Sequence, residues 1–517
     1  MTLGCTRSIV LSGLTPHSVT VEADVGGGLS KTVWTGLPDA VVRESADRIK
    51  SALSSSREPW PDHRITIGLF PASVRKSGSQ FDLAIAVAVL AAQRAFDPGA
   101  ARELVVLGEL GLDGRVHAVT GVLPAVIGAV RLGHRRVVVP RGNAREAALV
   151  PGVEVIPVSS VSELCALLRG EAVDLGLDEL FSVSPQPVDP PLDLTDVVGQ
   201  EEARHAIEVA AAGGHHLLLT GPPGVGKTML AERLPGLLPD LEGDEALEVT
   251  SIHSLLGRLA QGRPLLTRPP FCAPHHSATV AALIGGGSGV PTPGTISLAH
   301  RGVLFLDEAP EFERRALDAL RQPLESGTVS IHRSGGTARY PARFQLVLAA
   351  NPCPCARGGR STDVASCRCS STQLRAYRNR LSGPLLDRID LRARLEPVSR
   401  AVLSAGASGE PTEAVRERVL AARDRAARRL VGTPWTTNAE VPGPDLRRHW
   451  PIPQTALTSL STELDRGELS TRGVDRVMKV AWTLADLAGR DQPRRDDVDH
   501  AFALRVVGEA NTLARTA

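Results

Sequence analysis

The sequence predicts a multidomain α/β protein, and three observations support this fold class. Residues 1–180 alternate apolar runs typical of strands with runs of helical periodicity. A short apolar run at residues 217–220 leads directly into a glycine-rich loop and a helix-like segment. Residues 396–517 show mainly helical periodicity. A chain of 517 residues is long enough for about three domains of roughly 100–200 residues each.

The first predicted domain covers residues 1–180. Its strand-like runs are residues 18–25, 65–69, 104–107, 136–139 and 153–158, and its helix-like runs are residues 40–54, 81–92 and 123–132. The apolar run at residues 83–92 has about half of the ~20 residues that a membrane helix needs. We therefore expect a buried helix there.

A proline-rich linker at residues 181–193 is predicted to follow, because prolines can neither continue a helix nor join a central strand. Its prolines are Pro185, Pro187, Pro190 and Pro191. A phosphate-loop domain then covers residues 194–395, and a helical domain covers residues 396–517. In the first helix of that last domain, the arginines are expected to form a solvated face; they are Arg416, Arg418, Arg423, Arg425, Arg428 and Arg429.

Composition limits the classes of partner. The 58 basic and 57 acidic residues give a net charge of +1, so no bulk field indicates a nucleic-acid or membrane partner, and any such surface must be local. The first 16 residues lack the apolar core of a signal peptide, which predicts a cytoplasmic protein with no membrane partner. Seven cysteines in a chain of this size do not indicate a disulfide scaffold.

The glycine-rich loop has the pattern G-x-x-x-x-G-K-T of a P-loop, which binds ATP and Mg²⁺. Backbone N–H groups at the start of the following helix surround phosphate oxygens, the lysine reaches the β- and γ-phosphates, and the threonine hydroxyl ligates Mg²⁺. The predicted nucleotide-binding residues are Gly221, Pro222, Pro223, Gly224, Val225, Gly226, Lys227 and Thr228.

A second apolar strand at residues 303–306 ends in Asp307 and Glu308, the pattern of a Walker B motif. Asp307 is predicted to help hold Mg²⁺, and Glu308 to polarise the water that attacks the γ-phosphate. An Asp-Glu pair at a strand end is weak support alone, but its combination with the P-loop is specific.

Three further residues complete a predicted ATPase site. Asn351 follows a third strand-like run, in the sensor-1 position of an AAA+ ATPase, where its amide orients the attacking water. Arg388 stands where these ATPases present an arginine finger to the γ-phosphate of the neighbouring subunit. Arg472 lies in the helical tail where sensor 2 belongs. For both arginines, a surface ion pair is the alternative role.

With these motifs, further stretches resemble the magnesium-chelatase-like AAA+ ATPases, and specifically the ComM (YifB) subfamily. The stretches are Pro-His-His-Ser at 274–277, Gly-Gly-Gly at 285–287, Leu-Ala-His-Arg-Gly at 298–302, Asn-Pro-Cys-Pro-Cys at 351–355 and the Asp-Arg block at 387–388. The resemblance covers nearly the whole chain. It implies a hexameric ring with a helix-2 insert near residues 280–298 and a pre-sensor-1 hairpin at residues 328–343, both pointing into a central pore, and a helical lid of the Mg-chelatase C-terminal type.

The resemblance also implies DNA as the partner. A ComM-like ATPase would couple ATP hydrolysis to DNA translocation, as a branch-migration helicase acting on single-stranded or branched DNA in recombination and natural transformation. Two alternatives stay open: a magnesium-chelatase motor subunit, against which we count the amino-terminal domain, and a protein-remodelling or regulatory ATPase.

Residues 1–180 resemble the Lon-protease-type fold that ComM proteins carry, on the stretches Arg-Lys-Ser-Gly-Ser-Gln-Phe-Asp at 75–82 and Gly-Glu-Leu-Gly-Leu-Asp-Gly-Arg-Val at 108–116. Lon proteases use a Ser-Lys dyad. Here Gln80 stands at the serine position and Pro124 at the lysine position. We therefore expect a non-proteolytic domain.

Four clustered cysteines form two C-x-C pairs: Cys353 with Cys355, and Cys367 with Cys369. Four thiolates brought together suit tetrahedral Zn²⁺, which would fix the loop after Asn351. Reduced free thiols and a redox switch are the alternatives. His275 and His276 are either metal ligands or residues that pack the loop.

Two strand-like runs, residues 328–332 and 339–348, surround a Ser-Gly-Gly turn and predict a hairpin. Arg333 and Arg339 flank the turn and are predicted to contact DNA phosphates. The alternative is that both are ordinary exposed charges.

Overall fold

The computed structural model describes residues 3–182, 192–259, 264–287, 291–333, 336–355, 367–398, 409–458, 460 and 469–506. Within these ranges the chain forms an amino-terminal α/β unit, a central α/β unit and a carboxy-terminal group of helices. Most of the predicted linker lies outside the described residues. No helix in the described ranges combines the length and the apolar character needed to cross a membrane.

The amino-terminal unit is built on a seven-stranded mixed sheet in the order β3-β4-β2-β1-β5-β8-β9. Its strands are β1 Leu3–Ser12, β2 Thr15–Gly26, β3 Lys31–Thr35, β4 Arg64–Phe70, β5 Val105–Val106, β6 Glu109–Leu110, β7 Val116–His117, β8 Arg136–Pro140 and β9 Glu154–Val158. Its helices are α1 Ala40–Ser55, α2 Asp82–Ala92, α3 Pro98–Arg102, α4 Val122–Arg131, α5 Ala144–Ala147, α6 Val161–Leu168 and α7 Leu177–Ser182. The strand-like and helix-like runs predicted for this unit are confirmed.

Helix α2 is the buried helix that the sequence predicts. Every residue from Asp82 to Ala92 is buried, because α1 covers one side of the helix and the sheet covers the other. The only acid in it, Asp82, accepts two hydrogen bonds from Arg48 of α1, each 3.0 Å long. This pairing satisfies a carboxylate that would otherwise be costly to bury.

The central unit has a five-stranded sheet in the order β11-β14-β17-β10-β18, in which every pair is parallel. Its strands, including two separate hairpins, are β10 Leu217–Thr220, β11 Phe271–Cys272, β12 Gly285–Gly286, β13 Thr292–Pro293, β14 Val303–Leu306, β15 Thr328–Arg333, β16 Gly336–Pro341, β17 Gln345–Ala350 and β18 Leu391–Arg394. Its helices are α8 Glu201–Gly213, α9 Lys227–Leu237, α10 Gly243–Leu255, α11 Val280–Ile284, α12 Thr295–Leu298, α13 Arg314–Ala319, α14 Arg321–Ser326, α15 Ser371–Arg378 and α16 Gly383–Leu386. Parallel strands end at the same edge, so the residues after β10, β14 and β17 meet there.

The predicted strand-like run at residues 339–348 is wrong as a single element. The structure divides it into β16, which ends at Pro341, and β17, which begins at Gln345. Proline lacks the N–H that a ladder needs, and the chain turns at residues 342–344 to enter the central sheet. The predicted hairpin itself is confirmed, since β15 and β16 pair antiparallel with Arg333 opposite Gly336.

The carboxy-terminal helices are α17 Thr412–Arg429, α18 Gly443–His449, α19 Thr471–Leu487 and α20 Arg495–Val506. Helices α17 and α19 pack against α8 of the central unit and share its hydrophobic core. The expected solvated arginine face of α17 is wrong in part. Arg423 donates to the carbonyl oxygen of Ala211 at 2.8 Å, and Arg429 pairs with Asp486 at 2.6 Å.

Among the described residues, the amino-terminal unit contacts the central unit at two places. The turn between β1 and β2 lies against the hairpin, where the Ser12 hydroxyl donates to the carbonyl oxygen of Thr337 at 3.1 Å. At the second place α4 and α5 meet the end of α10, where Ser254 donates to Glu146 at 2.7 Å and accepts from the Gly121 N–H at 3.0 Å.

Candidate nucleotide site

The P-loop joins β10 to α9 at the carboxyl edge of the central sheet. Gly224 and Gly226 have φ angles of +79° and +96°, in the region that favours glycine, and nothing crowds either Cα. The backbone conformation, rather than lack of space, therefore requires these glycines. Helix α9 begins at Lys227, so its first N–H groups face the loop, in the arrangement that binds phosphate.

Lys227 is nearly buried, with 8 % of its surface exposed. Its ammonium donates to the carbonyl oxygens of Gly221 and Pro222 at 2.7 and 3.0 Å, and to the side-chain oxygen of Asn351 at 3.0 Å. Burial lowers the pKa of Lys227, and the carboxylates of Asp307 and Glu308 oppose that shift. The cation therefore lies between the P-loop and the predicted sensor-1 residue.

Thr228 and Asp307 provide the predicted magnesium ligands, and the structure brings them together. The Thr228 hydroxyl donates to a carboxylate oxygen of Asp307 at 2.8 Å. The other carboxylate oxygen of Asp307 accepts from the N–H of Glu308 at 2.8 Å, which fixes the carboxylate plane. A hydroxyl and a carboxylate at this spacing are oxygen donors of the kind that Mg²⁺ takes beside phosphates.

Glu308 follows in a left-handed conformation, with φ +49° and ψ +40°. This conformation is uncommon for a residue with a side chain, and such outliers cluster at functional sites. Its carboxylate lies 3.4 Å from Nδ1 of His276, whose ring packs at 4.0 Å from that of His275. His276 thus contacts the predicted catalytic glutamate, a role that neither a metal-ligand nor a loop-packing interpretation of the sequence anticipated.

Gln200 is a second residue that sequence reasoning missed. Its side chain donates to the carbonyl oxygen of Glu396 at 2.6 Å and to that of Val225 in the P-loop at 3.3 Å. Gln200 precedes α8 in a left-handed conformation, with φ +57°. The sequence gives no indication of this backbone conformation. The contact between Gln200 and the P-loop was therefore found only from the structure.

The predicted finger, Arg388, lies just after α16 and is 15 % exposed. Its guanidinium pairs with Glu325 of α14 and donates to the carbonyl oxygen of Pro384. Arg472, the predicted sensor-2 residue, lies in the first turn of α19, is 78 % exposed, and has a nitrogen 3.7 Å from a carboxylate oxygen of Asp387. Arg472 therefore lies near Asp387, the residue directly before Arg388 at the end of α16.

A buried polar network connects that segment to the sheet and to the carboxy-terminal helices. Asp390 pairs with Arg476 and with His215, and His215 lies 2.8 Å from the Thr483 hydroxyl. Burial alone would raise the pKa of Asp390, but Arg476 and His215 outweigh it and hold the pKa well below its usual range. Arg476 also donates to the carbonyl oxygen of Arg388 at 3.1 Å, so α19 contacts the finger segment directly.

The four clustered cysteines converge after Asn351. The sulfur atoms of Cys353, Cys355, Cys367 and Cys369 all lie within 4.8 Å of one another. The Cys353 and Cys355 sulfurs are 3.3 Å apart, and those of Cys355 and Cys367 are 3.8 Å apart. Four thiolates bound at about 2.3 Å around a tetrahedral ion would be separated by about 3.8 Å, so this donor set fits Zn²⁺.

The two predicted DNA contacts, Arg333 and Arg339, lie at different positions along the hairpin. Residues 334 and 335 of the predicted Ser-Gly-Gly turn lie outside the described residues. Arg333 is the last residue of β15 and pairs with Gly336, whereas Arg339 pairs with Ser330, three residues earlier in β15. Both are exposed. Because successive strand residues point to opposite faces, Arg339 shares the exposed face of the hairpin with His332, and Arg333 follows the face of Ile331.

In the amino-terminal unit, the residues around the Lon-type positions form separate contacts. The Ser79 hydroxyl donates to a carboxylate oxygen of Glu109 at 2.6 Å. Gln80 donates to the carbonyl oxygen of Ile9 at 3.3 Å, and Pro124 is buried within α4. Lys76 is fully buried and donates to the carbonyl oxygens of Gly36 and Pro71. The hydrogen-bond partner of Ser79 is therefore an acid, whereas the Lys76 ammonium binds backbone carbonyl oxygens.

Comparison with known families gives three matches along the chain. Residues 193–403 match "Magnesium chelatase, subunit ChlI", residues 21–143 match "Subunit ChlI of Mg-chelatase", and residues 409–505 match "Magnesium chelatase, subunit ChlI C-terminal".

Three full-length relatives illustrate the similarity. An uncharacterized protein of Mycobacterium tuberculosis is 52% identical over 508 residues, which cover 98% of this chain and 99% of the relative. The uncharacterized protein YifB of Escherichia coli and the competence protein ComM of Haemophilus influenzae are each 39% identical over 513 residues, covering 98% of both chains.

Proposed function

This chain belongs to the magnesium-chelatase ChlI family, within its YifB and ComM subfamily, and from this premise we propose that it forms a cytoplasmic hexameric ring that couples ATP hydrolysis to the movement of DNA. The family is one of AAA+-type ATPases that use ATP and Mg²⁺. Movement of DNA goes beyond the family relationship, and the exposed residues of the hairpin support it.

The observation that carries the ATPase chemistry is the meeting of five side chains at one edge of the central sheet: Lys227, Thr228, Asp307, Glu308 and Asn351. Lys227 would bind the β- and γ-phosphate oxygens, and Thr228 with Asp307 would hold Mg²⁺ between them. When bound, this ion neutralises charge on the phosphates. Glu308 would polarise the attacking water, and the Asn351 amide would orient it.

The proposal of a ring takes Arg388 as the arginine finger. In the structure this arginine contacts Glu325, and the family places such a residue at the γ-phosphate of the next subunit. Arg472 would act as sensor 2, joined to the same segment through Asp387. We propose that the active site is completed only when subunits assemble.

The hairpin favours DNA over a polypeptide as the molecule that is moved. Its exposed face carries His332 and Arg339, and Arg333 lies at its tip, whereas the aromatic Tyr340 is buried. Arginines contact phosphates without reading sequence, which suits a translocase. An aromatic pore surface would have favoured a protein-remodelling ATPase.

The chelatase alternative stays open beside this proposal. Residues 21–143 belong to the amino-terminal unit that we count against a chelatase role, and they match a family described as a chelatase subunit. The support for a ComM-like role is the similarity to the competence protein ComM along 98% of both chains. On that basis we propose branch migration of recombination intermediates, as in the integration of transforming DNA, with an amino-terminal domain of non-proteolytic Lon type.

The cysteine cluster is proposed to bind one structural Zn²⁺. The ion would connect the chain after Asn351 to the start of α15, and so fix the loop that carries the sensor-1 residue. No catalytic step passes through it.

The test is ATP hydrolysis by the purified protein with no polymer, with single-stranded DNA, with a four-way junction, and with an unfolded polypeptide. We expect the junction or the single strand to raise the rate and the polypeptide to leave it unchanged. Stimulation by the polypeptide alone would replace DNA with protein as the substrate. Hydrolysis stimulated only by chelatase partner subunits and a porphyrin would support the chelatase role instead.

A further inference from the structure

Helix α14 connects the hairpin directly to the segment of the predicted finger. The helix ends at Gly327, which has a left-handed φ of +64°, and β15 begins at the next residue. The Ser326 hydroxyl accepts from the N–H of Thr328 at 3.3 Å and donates to the carbonyl oxygen of that residue at 2.9 Å. A displacement of α14 would therefore displace the base of the hairpin.

Two contacts connect α14 to the segment around α16. Arg321 donates to the Ser382 hydroxyl at 3.0 Å, and that hydroxyl donates to a carboxylate oxygen of Asp318 at 3.0 Å. One turn further along the helix, Glu325 pairs with Arg388. The first contact joins the start of α14 to the start of α16. The second involves Arg388, the residue predicted to contact the nucleotide of the neighbouring subunit.

The Glu325 to Arg388 pair is asymmetric. The arginine side chain is 15 % exposed, whereas the glutamate is 63 % exposed. Arg388 has a second acceptor in the carbonyl oxygen of Pro384, and its Nε is buried with no hydrogen-bond partner among the described residues. The guanidinium is thus held by one solvent-facing carboxylate and one backbone carbonyl.

A carboxylate and a phosphate bind the same donor fork of an arginine. Glu325 and a γ-phosphate would therefore compete for Arg388. Only the glutamate of this pair faces solvent. A phosphate of higher charge can therefore approach the guanidinium and replace the carboxylate as its acceptor. The exchange would free the contact between the finger and α14.

We propose that Glu325 is a positioning residue that restrains Arg388 within its own subunit until the arginine binds the γ-phosphate of the neighbouring subunit. Breaking the ion pair releases α14 and the hairpin of the subunit that provides Arg388. The nucleotide bound by the neighbouring subunit thereby controls how this hairpin contacts the polymer. This inference rests on the proposed function, because it takes Arg388 as the finger.

The experiment compares five full-length variants: Glu325→Gln, Glu325→Asp, Arg388→Ala, the Glu325→Gln/Arg388→Ala double variant, and Glu313→Gln as the control. Glu313 is an exposed acid just before α13 and has no side-chain capping bond. Steady-state ATP hydrolysis is measured without DNA and with saturating junction DNA, on assembled rings.

Glu325→Gln is expected to raise the DNA-free kcat about two- to fivefold, the change that loss of an ion pair with a solvent-facing carboxylate implies, and to reduce the stimulation by DNA correspondingly. Glu325→Asp is expected to restore the wild-type values, and Glu313→Gln to match wild type. The double variant is expected to hydrolyse ATP at the rate of Arg388→Ala, since Glu325 acts only through Arg388.

The inference is overturned if Glu325→Gln matches wild type, if it loses activity as Arg388→Ala does, or if the double variant is faster than Arg388→Ala. Failure of the proposed function looks different. Wild-type rings that hydrolyse ATP without any response to DNA contradict DNA translocation, while the DNA-free comparison still tests Glu325.

Discussion

The ammonium of Lys227 donates a hydrogen bond of 3.0 Å to the side-chain oxygen of Asn351. The contact follows from strand order, because β10 and β17 are parallel neighbours with Thr220 opposite Ala350. The residues that leave the two strands therefore begin side by side. The P-loop and the predicted sensor-1 residue therefore lie together, and the predicted Walker B residues Asp307 and Glu308 lie beside them.

Replacing Glu308 with glutamine should stop hydrolysis while preserving nucleotide binding. The amide keeps the size of the side chain but cannot polarise water, so we expect turnover to fall by at least ~100-fold. ATP affinity is measured by calorimetry and turnover by phosphate release, with Glu313→Gln as a matched control. Turnover near the wild-type rate would remove Glu308 from the catalytic role.

Mixing two inactive variants should restore activity if the site is shared between subunits. Rings of Lys227→Ala subunits lack the P-loop lysine, and rings of Arg388→Ala subunits lack the finger. In a mixed ring some interfaces combine an intact P-loop with an intact finger. We expect the ATPase rate to be greatest at intermediate ratios. If mixed rings form, as checked by mass spectrometry, and stay inactive at every ratio, Arg388 does not act between subunits.

The purified protein should contain one zinc ion per chain. Cys367→Ser/Cys369→Ser removes two of four ligands, so we expect zinc to be lost and the Tm to fall, because metal binding contributes to folding. Metal analysis and thermal unfolding measure the two effects. Cys5→Ser, outside the cluster, should change neither. Substoichiometric zinc in the wild-type protein, with the same content in Cys367→Ser/Cys369→Ser, would rule out the site.

Arg333→Ala/Arg339→Ala should abolish stimulation of the ATPase by DNA and branch migration. Both effects are expected because the arginines would contact phosphates, and the salt dependence of DNA binding should weaken with them. DNA-free hydrolysis and ring assembly should stay intact. Arg115→Ala/Arg131→Ala, which removes exposed arginines of the amino-terminal unit, is the control. Full stimulation in the hairpin variant would place the DNA contact elsewhere.

Gly13→Val should separate the amino-terminal unit from the hairpin. A Cβ at Gly13 would lie 2.9 Å from the carbonyl oxygen of Arg339, so the turn between β1 and β2 must move away. We expect DNA stimulation to fall because the hairpin loses this contact. Gly28→Val is the control, since Gly28 also has a positive φ, +123°, but nothing lies within 4 Å of it. An equal loss of DNA stimulation in the two variants would show that backbone strain, not the contact, causes the loss.

The sequence was sufficient for features whose physical cause is local. A G-x-x-x-x-G-K-T loop needs glycines at positive φ and a helix that begins directly after them. Both requirements depend only on residues close together in the sequence. The same holds for the apolar helix α2 and for the antiparallel pairing of β15 with β16. Cysteines in two close pairs likewise indicated a cluster, and the structure brings their sulfurs within 4.8 Å.

Tertiary structure alone decided which distant side chains meet. Glu308 contacts His276, Arg388 contacts Glu325, and Arg423 reaches a carbonyl of α8, and no spacing in the sequence announces these pairs. The division of the predicted run at residues 339–348 has the same origin, because its second half joins a sheet whose other strands are far away in the chain. Local patterns fix backbone conformation, whereas these contacts depend on how whole elements pack, and packing is a property of the assembled core.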